Sequence, residues 1–319
     1  MVAAMTAKGP PPLHWIWAEP ARRLAWRRYW IRDVVSGFNS VALHFLLKLG
    51  TIDTCSNLGG AMGAAFGPRY RPHARRIQDN LKRLRPDLAA DMDATMARVW
   101  DNIGRSLSEF SVIDRLWTSS RMTVCGIEHI HAARATGRAR IYVAVHLSNW
   151  ELLGPKLVEL GEDAFEFYEP PPNRFRRALT ERARLRFKDR LMGPGAANAL
   201  RATRRLKDDS AALVIFIDET RRGRNQAPAF GRKVTLDGNL ANAVRLALLT
   251  NALVLPAYVL REPHARFRAY VEAPVEMIRT DDREADVRRN TKHLNALLEP
   301  IVRRHLEQWI SLPLLRLDD

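Results

Sequence analysis

The chain has 319 residues, 46% of them hydrophobic, and 51 basic against 35 acidic side chains give it a net charge of +16. This length and apolar content suffice for one large α/β core or two small ones. Its two isolated cysteines, Cys55 and Cys125, provide neither a disulfide framework nor a metal-ligand spacing, as is typical of a reducing compartment. The charge calls for an anionic partner: nucleic acid, an anionic bilayer, a phosphorylated glycolipid or an acidic carrier protein.

Residues 1–50 are predicted to form a membrane-anchoring segment ahead of a single domain at 51–319. No cleavable signal peptide is evident, because the first 20 residues lack a continuous apolar stretch. Arginines alternate with tryptophans there, as in anchors at the level of lipid headgroups. The apolar run that follows, 34–49, is shorter than the roughly 20 clean residues of a transmembrane helix. We expect a helix lying in the interface; a tilted insertion and a solvated globular helix are the alternatives. The predicted anchor side chains are Trp15, Trp17, Trp26 and Trp30.

Strands alternate with helices over the rest of the chain, which predicts a mostly parallel sheet covered on both faces, with an antiparallel edge. The expected fold class is therefore a single α/β domain carrying an N-terminal helical anchor. The predicted strands are 141–145, 164–168, 212–218, 253–260 and 266–273. The predicted helices are two in 74–116 broken near Pro86, then 149–160, 174–190, 196–207, 239–250 and 284–308.

The most informative residue is His146, which follows a buried strand and precedes an amphipathic helix. Side chains at such a junction are exposed at the carboxyl end of a sheet. Five residues of regular helix turn roughly 500°, so Glu151 reaches the imidazole only if the chain breaks between them. In that geometry Glu151 accepts a hydrogen bond from one ring nitrogen and leaves the other free as a base. Alternatively, Ser148 and Glu151 form a capping box and Glu151 only completes a helix start.

The block His146–Glu151 resembles the His-x-Gly-Asn-Trp-Glu block of the bacterial late acyltransferases of lipid A biosynthesis, within the lysophospholipid acyltransferase superfamily. Further similar blocks follow in the family's order over roughly residues 40–310. These blocks are Arg75–Leu84 with Pro86, Glu109, Arg184–Lys188, Val214–Glu219, Ala227–Gly231 with Thr235, and Leu246–Pro256.

The chain departs from the family pattern at a few positions. Ser148 and Lys188 replace glycines, Glu219 replaces a glutamine, and the tail after Trp309 lacks the family's Trp-x-x-x-Arg-Trp ending. Since the catalytic block is retained, these changes bear on the acceptor and the acyl chain more than on the reaction.

The resemblance implies an O-acyltransferase of lipopolysaccharide biosynthesis at the cytoplasmic face of the inner membrane. Its donor would be an acyl carrier protein thioester and its acceptor a lipid A precursor or other anionic glycolipid, with no cofactor and no metal. His146 would take the proton from the acceptor hydroxyl while Glu151 steadies the imidazolium. The implied substrate-binding residues are Asn149, Arg184, Asp218, Glu219, Phe230 and Gly231.

Two arginine clusters suit phosphates or the acidic carrier protein, because guanidinium groups bind such anions bidentately. One spans 174–190, and the other comprises Arg221, Arg222 and Arg224. A solvated helix face is the alternative for at least half of them.

Three other functions remain open. A related acyltransferase could use a lysophospholipid, a phosphoinositol mannoside or an amino-acid lipid as acceptor. A nucleic-acid-binding protein is suggested by charge alone, without any recognition motif, so no nucleic-acid partner is expected. A non-catalytic membrane scaffold could keep the fold, but the intact His146 block argues against it.

Overall fold

Helices and strands alternate through most of the chain, as the sequence predicts. The computed structural model describes residues 9–221 and 223–317. The α-helices of these residues are α1 (Pro20–Arg27), α2 (Asp33–Lys48), α3 (Ile52–Phe66), α4 (Arg71–Leu84), α5 (Met92–Glu109), α6 (Ile113–Trp117), α7 (Ile127–Ala135), α8 (Leu153–Glu159), α9 (Arg174–Ala183), α10 (Ala196–Asp208), α11 (Asn239–Thr250) and α12 (Arg283–Arg304). The strands are β1 (Met122–Cys125), β2 (Arg140–Ala144), β3 (Ala164–Phe167), β4 (Leu191–Met192), β5 (Ala212–Phe216), β6 (Thr220–Arg221), β7 (Arg224–Asn225), β8 (Leu253–Glu262) and β9 (Arg266–Val271).

One sheet of seven strands, in the order β1-β9-β8-β2-β5-β3-β4, forms the centre of the domain. Strand β2 pairs in parallel with both β5 and β8, and β3 pairs in parallel with β5 and β4. Strand β9 runs antiparallel to β8, with β1 parallel to β9 at the edge. The predicted α/β class with a mostly parallel sheet is therefore confirmed, and the antiparallel part is a pair of edge strands.

Helices cover both faces of this sheet, so its central strand is buried on both sides. All five residues of β2 are buried. Alternate side chains point to opposite faces of a strand, so Ile141 and Val143 join one core cluster while Tyr142 and Ala144 join the other. Two buried faces explain why this strand reads as a continuous apolar run.

Several elements differ from their predicted bounds. The helix expected at 149–160 begins at Leu153, after a 3-10 turn at Trp150–Leu152. The delay follows from Ser148, whose φ of +49° lies outside the helical range. The helix expected at 174–190 ends at Ala183 and continues as a 3-10 turn. Strand β1 and helix α7 were not predicted.

Glycines bring helix α3 close to helix α5. A Cβ on Gly63 would lie 2.1 Å from the carbonyl oxygen of Trp100, and one on Gly104 would lie 2.2 Å from that of Gly59. No larger residue permits this approach, which places Ser56 of α3 within 2.7 Å of the Glu109 carboxylate at the end of α5. The helix pair thus fixes a carboxylate that lies beside the loop following β2, where it accepts a hydrogen bond from Asn149.

The N-terminal segment is helical and packs on the domain. A π-helical turn at Arg28–Arg32 joins α1 to α2. Helix α2 contacts α9, and a Cβ on Gly37 would lie 2.3 Å from the Phe175 ring. No helix in residues 9–221 and 223–317 combines the length and apolarity needed to cross a membrane. The anchoring role and the boundary at residue 50 stay predictions, and residues 1–8 lie outside the described part.

Candidate active site

The register of two neighbouring strands brings a histidine and an aspartate together. Strands β2 and β5 are parallel, with Ala144 opposite Phe216 at their carboxyl ends. Two residues further along each strand stand His146 and Asp218. Because the same offset from paired residues leads to the same side of the sheet, the two side chains meet above its carboxyl edge.

The imidazole of His146 is held by one carboxylate and two aromatic rings. Its Nδ1 lies 2.6 Å from Asp218 Oδ1, and its backbone N–H donates to Asp218 Oδ2 at 3.0 Å. The ring stacks on Phe216 with centroids 4.3 Å apart, and Trp150 meets it edge-on at 4.9 Å. Since an ionised carboxylate only accepts hydrogen bonds, Nδ1 carries the proton. Nε2 of the neutral ring is therefore a free base.

Charge and burial act in opposite directions on this pair. Burial lowers the pKa of His146, but the Asp218 carboxylate with its hydrogen bond, together with the charges of Glu151 and Glu166, raises that pKa above its usual value. For Asp218, burial raises the pKa, while the imidazole and the hydrogen bonds from His146 and Trp309 bring it below its ordinary value. The pair thus favours an ionised aspartate and an imidazole that is more basic than usual.

The predicted partnership of His146 with Glu151 needs correction. Asp218, which was expected to bind substrate, occupies the imidazole Nδ1. Glu151 pairs instead with the guanidinium of Arg184. The capping box is not formed either: the helix start has no side-chain cap, and the buried Ser148 hydroxyl has no hydrogen-bond partner among the described residues. A catalytic role of Glu151 stays a prediction, but the orienting carboxylate is Asp218.

Arg184 joins two carboxylates beside the imidazole. Its guanidinium pairs with Glu151 and lies 3.6 Å from Glu166 of β3, a residue that the sequence analysis did not single out. Burial raises the pKa of Glu166 to about 7, although the charge of Arg184 opposes this shift. Both carboxylates also act on His146, since each raises its pKa. Arg184, Glu151 and Glu166 thus form a cluster of charged groups next to the His146 imidazole.

A largely apolar pocket opens at this cluster. About 390 Å³ of empty space lies between its walls, and this figure includes space that is open to solvent. Its charged lining residues are Glu151, Glu166, Arg184 and Arg190, and the apolar lining includes Trp117, Val158, Phe187, Leu191 and Val214. The combination suits a hydrocarbon chain that carries its polar end towards His146.

A second buried network supports the loop between His146 and Glu151. Asn149 is only 2% exposed, and its amide donates to the Glu109 carboxylate at 2.9 Å. Glu109, fully buried, is neutralised by the guanidinium of Arg261. Asn149, predicted to bind substrate, thus has an internal partner that fixes the loop.

Two of the remaining predicted site residues, Glu219 and Phe230, contact other parts of the protein. The Glu219 carboxylate accepts from the backbone N–H of Asn239 at 2.7 Å, so it caps helix α11. Phe230, 6% exposed, packs on Trp309 with centroids 5.6 Å apart, and Gly231 follows it with a φ of +85°. These contacts stabilise the segments that pack around Asp218 and Trp309.

The arginine clusters are partly committed to the protein itself. Arg174 donates to the Tyr29 carbonyl and Arg176 to the Ser40 hydroxyl, so both tie α9 to the N-terminal helices. Arg221 donates to the Asp237 carbonyl, and Arg222 lies outside the described residues. Within the described ranges, no three His, Cys, Asp or Glu side chains are grouped to hold a metal ion.

The chain matches known proteins at the level of a family. The family model described as bacterial lipid A biosynthesis acyltransferase matches residues 22–315. Among solved structures, the 1-acyl-sn-glycerophosphate (LPA) acyltransferase PlsC from Thermotoga maritima matches with a TM-score of 0.35 and 15% identity, covering 66% of this chain and 80% of that one. No curated protein matches the chain.

We predict that Asp218→Asn lowers the pKa of the His146 imidazole by about 1 to 3 units, because the adjacent charge and its hydrogen bond are lost. Glu151→Gln, the matched carboxylate-to-amide change, should lower that pKa less, since Glu151 acts only through space. NMR titration of the imidazole measures both values. If the pKa of His146 falls as much or more in Glu151→Gln, then Glu151 and not Asp218 orients the imidazole.

We predict that the pH dependence of stability contains a contribution from Glu166. Its folded-state pKa of about 7 lies above the ordinary glutamate value of 4.5. Between these values the folded chain holds a proton that the unfolded chain has released, so raising the pH through this window lowers the free energy of unfolding. The loss is at most about 3 kcal/mol, at about 1.4 kcal/mol per pKa unit.

Urea unfolding of Glu166→Gln at pH 5, 6, 7 and 8 checks this, because stability should decline less steeply in the variant than in the wild type. Glu219, whose pKa burial also raises to about 7, contributes equally to both. Glu169→Gln makes the same change at a nearby exposed site and should retain the wild-type dependence. If wild type and Glu166→Gln decline in parallel, Glu166 is ionised throughout.

Proposed function

The chain belongs to the bacterial lipid A biosynthesis acyltransferase family and is an acyltransferase, and we propose that it acylates a hydroxyl of a lipid A precursor. The donor in this proposal is a fatty acyl thioester of acyl carrier protein. The observation that carries it is the His146–Asp218 pair, whose geometry leaves the imidazole Nε2 free as a base at the carboxyl edge of the sheet.

The reaction needs one proton-transfer group, because a thioester is already activated for attack. His146 Nε2 takes the proton from the acceptor hydroxyl as that oxygen attacks the thioester carbonyl carbon. Asp218 stabilises the imidazolium that forms, since its carboxylate lies 2.6 Å from Nδ1. When the tetrahedral intermediate collapses, the carbon–sulfur bond breaks and the imidazolium returns the proton to the thiolate. The products are the ester and the free carrier thiol.

The apolar pocket beside Arg184 is the proposed site for the acyl chain. Trp117, Phe187 and Leu191 belong to its apolar lining. Glu151, Glu166 and Arg184 stand at the end nearest His146, because both carboxylates affect the pKa of His146. A chain bound there would present its thioester to the base.

Binding of the enzyme to the cytoplasmic face of the inner membrane completes the proposal. Apolar side chains at spacings of three, four and seven residues remain exposed from the π-helical turn through α2 to its C-cap, which places them on one helical face. Ile31, Val35, Phe38, Phe45 and Leu49 are each at least half exposed. The neighbouring arginines suit anionic headgroups, each adding about 1 kcal/mol near such a surface.

We predict that His146→Ala lowers acyl transfer by about 10²–10⁴-fold, the contribution typical of a general base. Purified protein is assayed with acyl carrier protein thioesters and a lipid A precursor, and with coenzyme A thioesters and other acceptors in parallel. Mass spectrometry of lipids from a deletion strain identifies the missing product. Turnover near wild type in His146→Ala would show that His146 is not the base. Acylation of a lysophospholipid or amino-acid lipid alone would show that the acceptor is not a lipid A precursor.

We predict that residues 13–50 carry binding to anionic vesicles. A chain beginning at Thr51 should fail to float with them. In the full chain, Phe38→Asp with Phe45→Asp should weaken flotation, because both side chains are exposed, by 68% and 54%. Leu200→Asp, at a 53% exposed site on α10, is the matched control and should float like the wild type. Full flotation of the truncated chain would place the anchor elsewhere.

A further inference from the structure

The C-terminal tail reaches back to the catalytic pair through a fully buried tryptophan. Trp309 is 0% exposed, and its indole N–H donates to Asp218 Oδ2 at 2.6 Å. The same oxygen accepts the backbone N–H of His146, while Oδ1 faces the imidazole Nδ1. Asp218 thus receives two donors from His146 and one from a residue 91 positions away.

The tail is also hydrogen-bonded to the loop that carries His146. Leu147 and Trp309 form an antiparallel bridge. The backbone N–H of Ser148 donates to the Gln308 carbonyl at 2.8 Å, and that of Ile310 donates to the His146 carbonyl at 3.2 Å. The indole ring is packed against Phe230. Trp309 and His146 therefore keep a fixed relation, with the Asp218 carboxylate between them.

An indole N–H interacts with a buried carboxylate only by donating a hydrogen bond, because it can neither accept one nor ionise. A hydrogen bond to a charged group in a buried site is among the stronger ones. Here it fixes the plane of the carboxylate and draws negative charge from Oδ1 towards Oδ2. Less charge on Oδ1 means a smaller preference for the imidazolium over the neutral imidazole.

We propose that Trp309 is a positioning residue for the acyl transfer, which holds Asp218 in place and sets the pH range in which His146 is available as a base. The inference rests on the proposed function for its kinetic consequence, but its effect on the imidazole does not depend on the acceptor. Other charged groups near the pair are Glu151 and Glu166 beside the imidazole, Arg184 paired with both of these, and Glu219 next to Asp218. All of these are unchanged when the indole is replaced.

The test is Trp309→Phe, which keeps an aromatic ring and removes the N–H. We expect the pKa of the His146 imidazole, measured by NMR, to rise by about one unit. The acid limb of the pH profile of kcat/KM should move upward by the same amount, so kcat/KM falls up to about tenfold below the limb. Most of the loss should be recovered at higher pH. KM for both substrates should change little, since the indole is buried behind the pair.

Trp100→Phe is the matched control, because it makes the same change in another buried tryptophan. Trp100 is 6% exposed, and its N–H has no hydrogen-bond partner among the described residues. It should lower thermal stability without moving the imidazole pKa or the acid limb. A merely structural role of Trp309 would give the same result in both variants, and that outcome overturns the proposal.

A measurement on the unmodified chain covers the case in which Trp309→Phe does not fold. The indole N–H resonance of Trp309 should titrate with the same midpoint as the His146 imidazole, because both bind one carboxylate. An indole resonance that ignores this titration overturns the proposal. If the imidazole pKa moves as expected while no lipid A precursor is acylated, the positioning role stands and the acceptor assignment fails.

Discussion

The arrangement of the site depends on one buried carboxylate. Asp218 is 1% exposed, so its charge must be balanced by hydrogen-bond donors from inside the protein. His146 supplies two of these donors and Trp309 supplies the third. The ends of β2 and β5 and the C-terminal tail are therefore held together by this side chain, and the orientation of the imidazole follows from it.

One buried ion pair supports the loop after β2, and a partly buried cluster of charges lies beside the imidazole. Glu109 with Arg261 lies behind the loop and holds it through the amide of Asn149. Arg184 lies in front, between Glu151 and Glu166, where it lines the apolar pocket. Breaking a buried ion pair on one side is expensive, commonly about 3–5 kcal/mol. The loop is thus held by a hydrogen bond to Glu109 on one side and faces the charged cluster around Arg184 on the other.

The proposed membrane contact and the proposed chemistry are joined by one helix. Helix α9 packs against α2 at Gly37 and ends at Ala183, immediately before the arginine that faces Glu151. Arg174 and Arg176 fasten it to Tyr29 and Ser40 of the N-terminal helices. The arginine-rich segment is therefore partly a brace inside the protein rather than a free anion-binding surface.

The sequence by itself determined the fold class and singled out His146, because alternating apolar strands and amphipathic helices are local signals and His146 lies at one of their junctions. It also placed Asp218 at a strand end. Only the tertiary structure decided that Asp218 and not Glu151 binds the imidazole, because strand order and register join residues 72 positions apart. The same holds for Trp309, whose partner is 91 positions away. Spacing along the chain favours near neighbours, whereas a parallel sheet pairs distant strand ends.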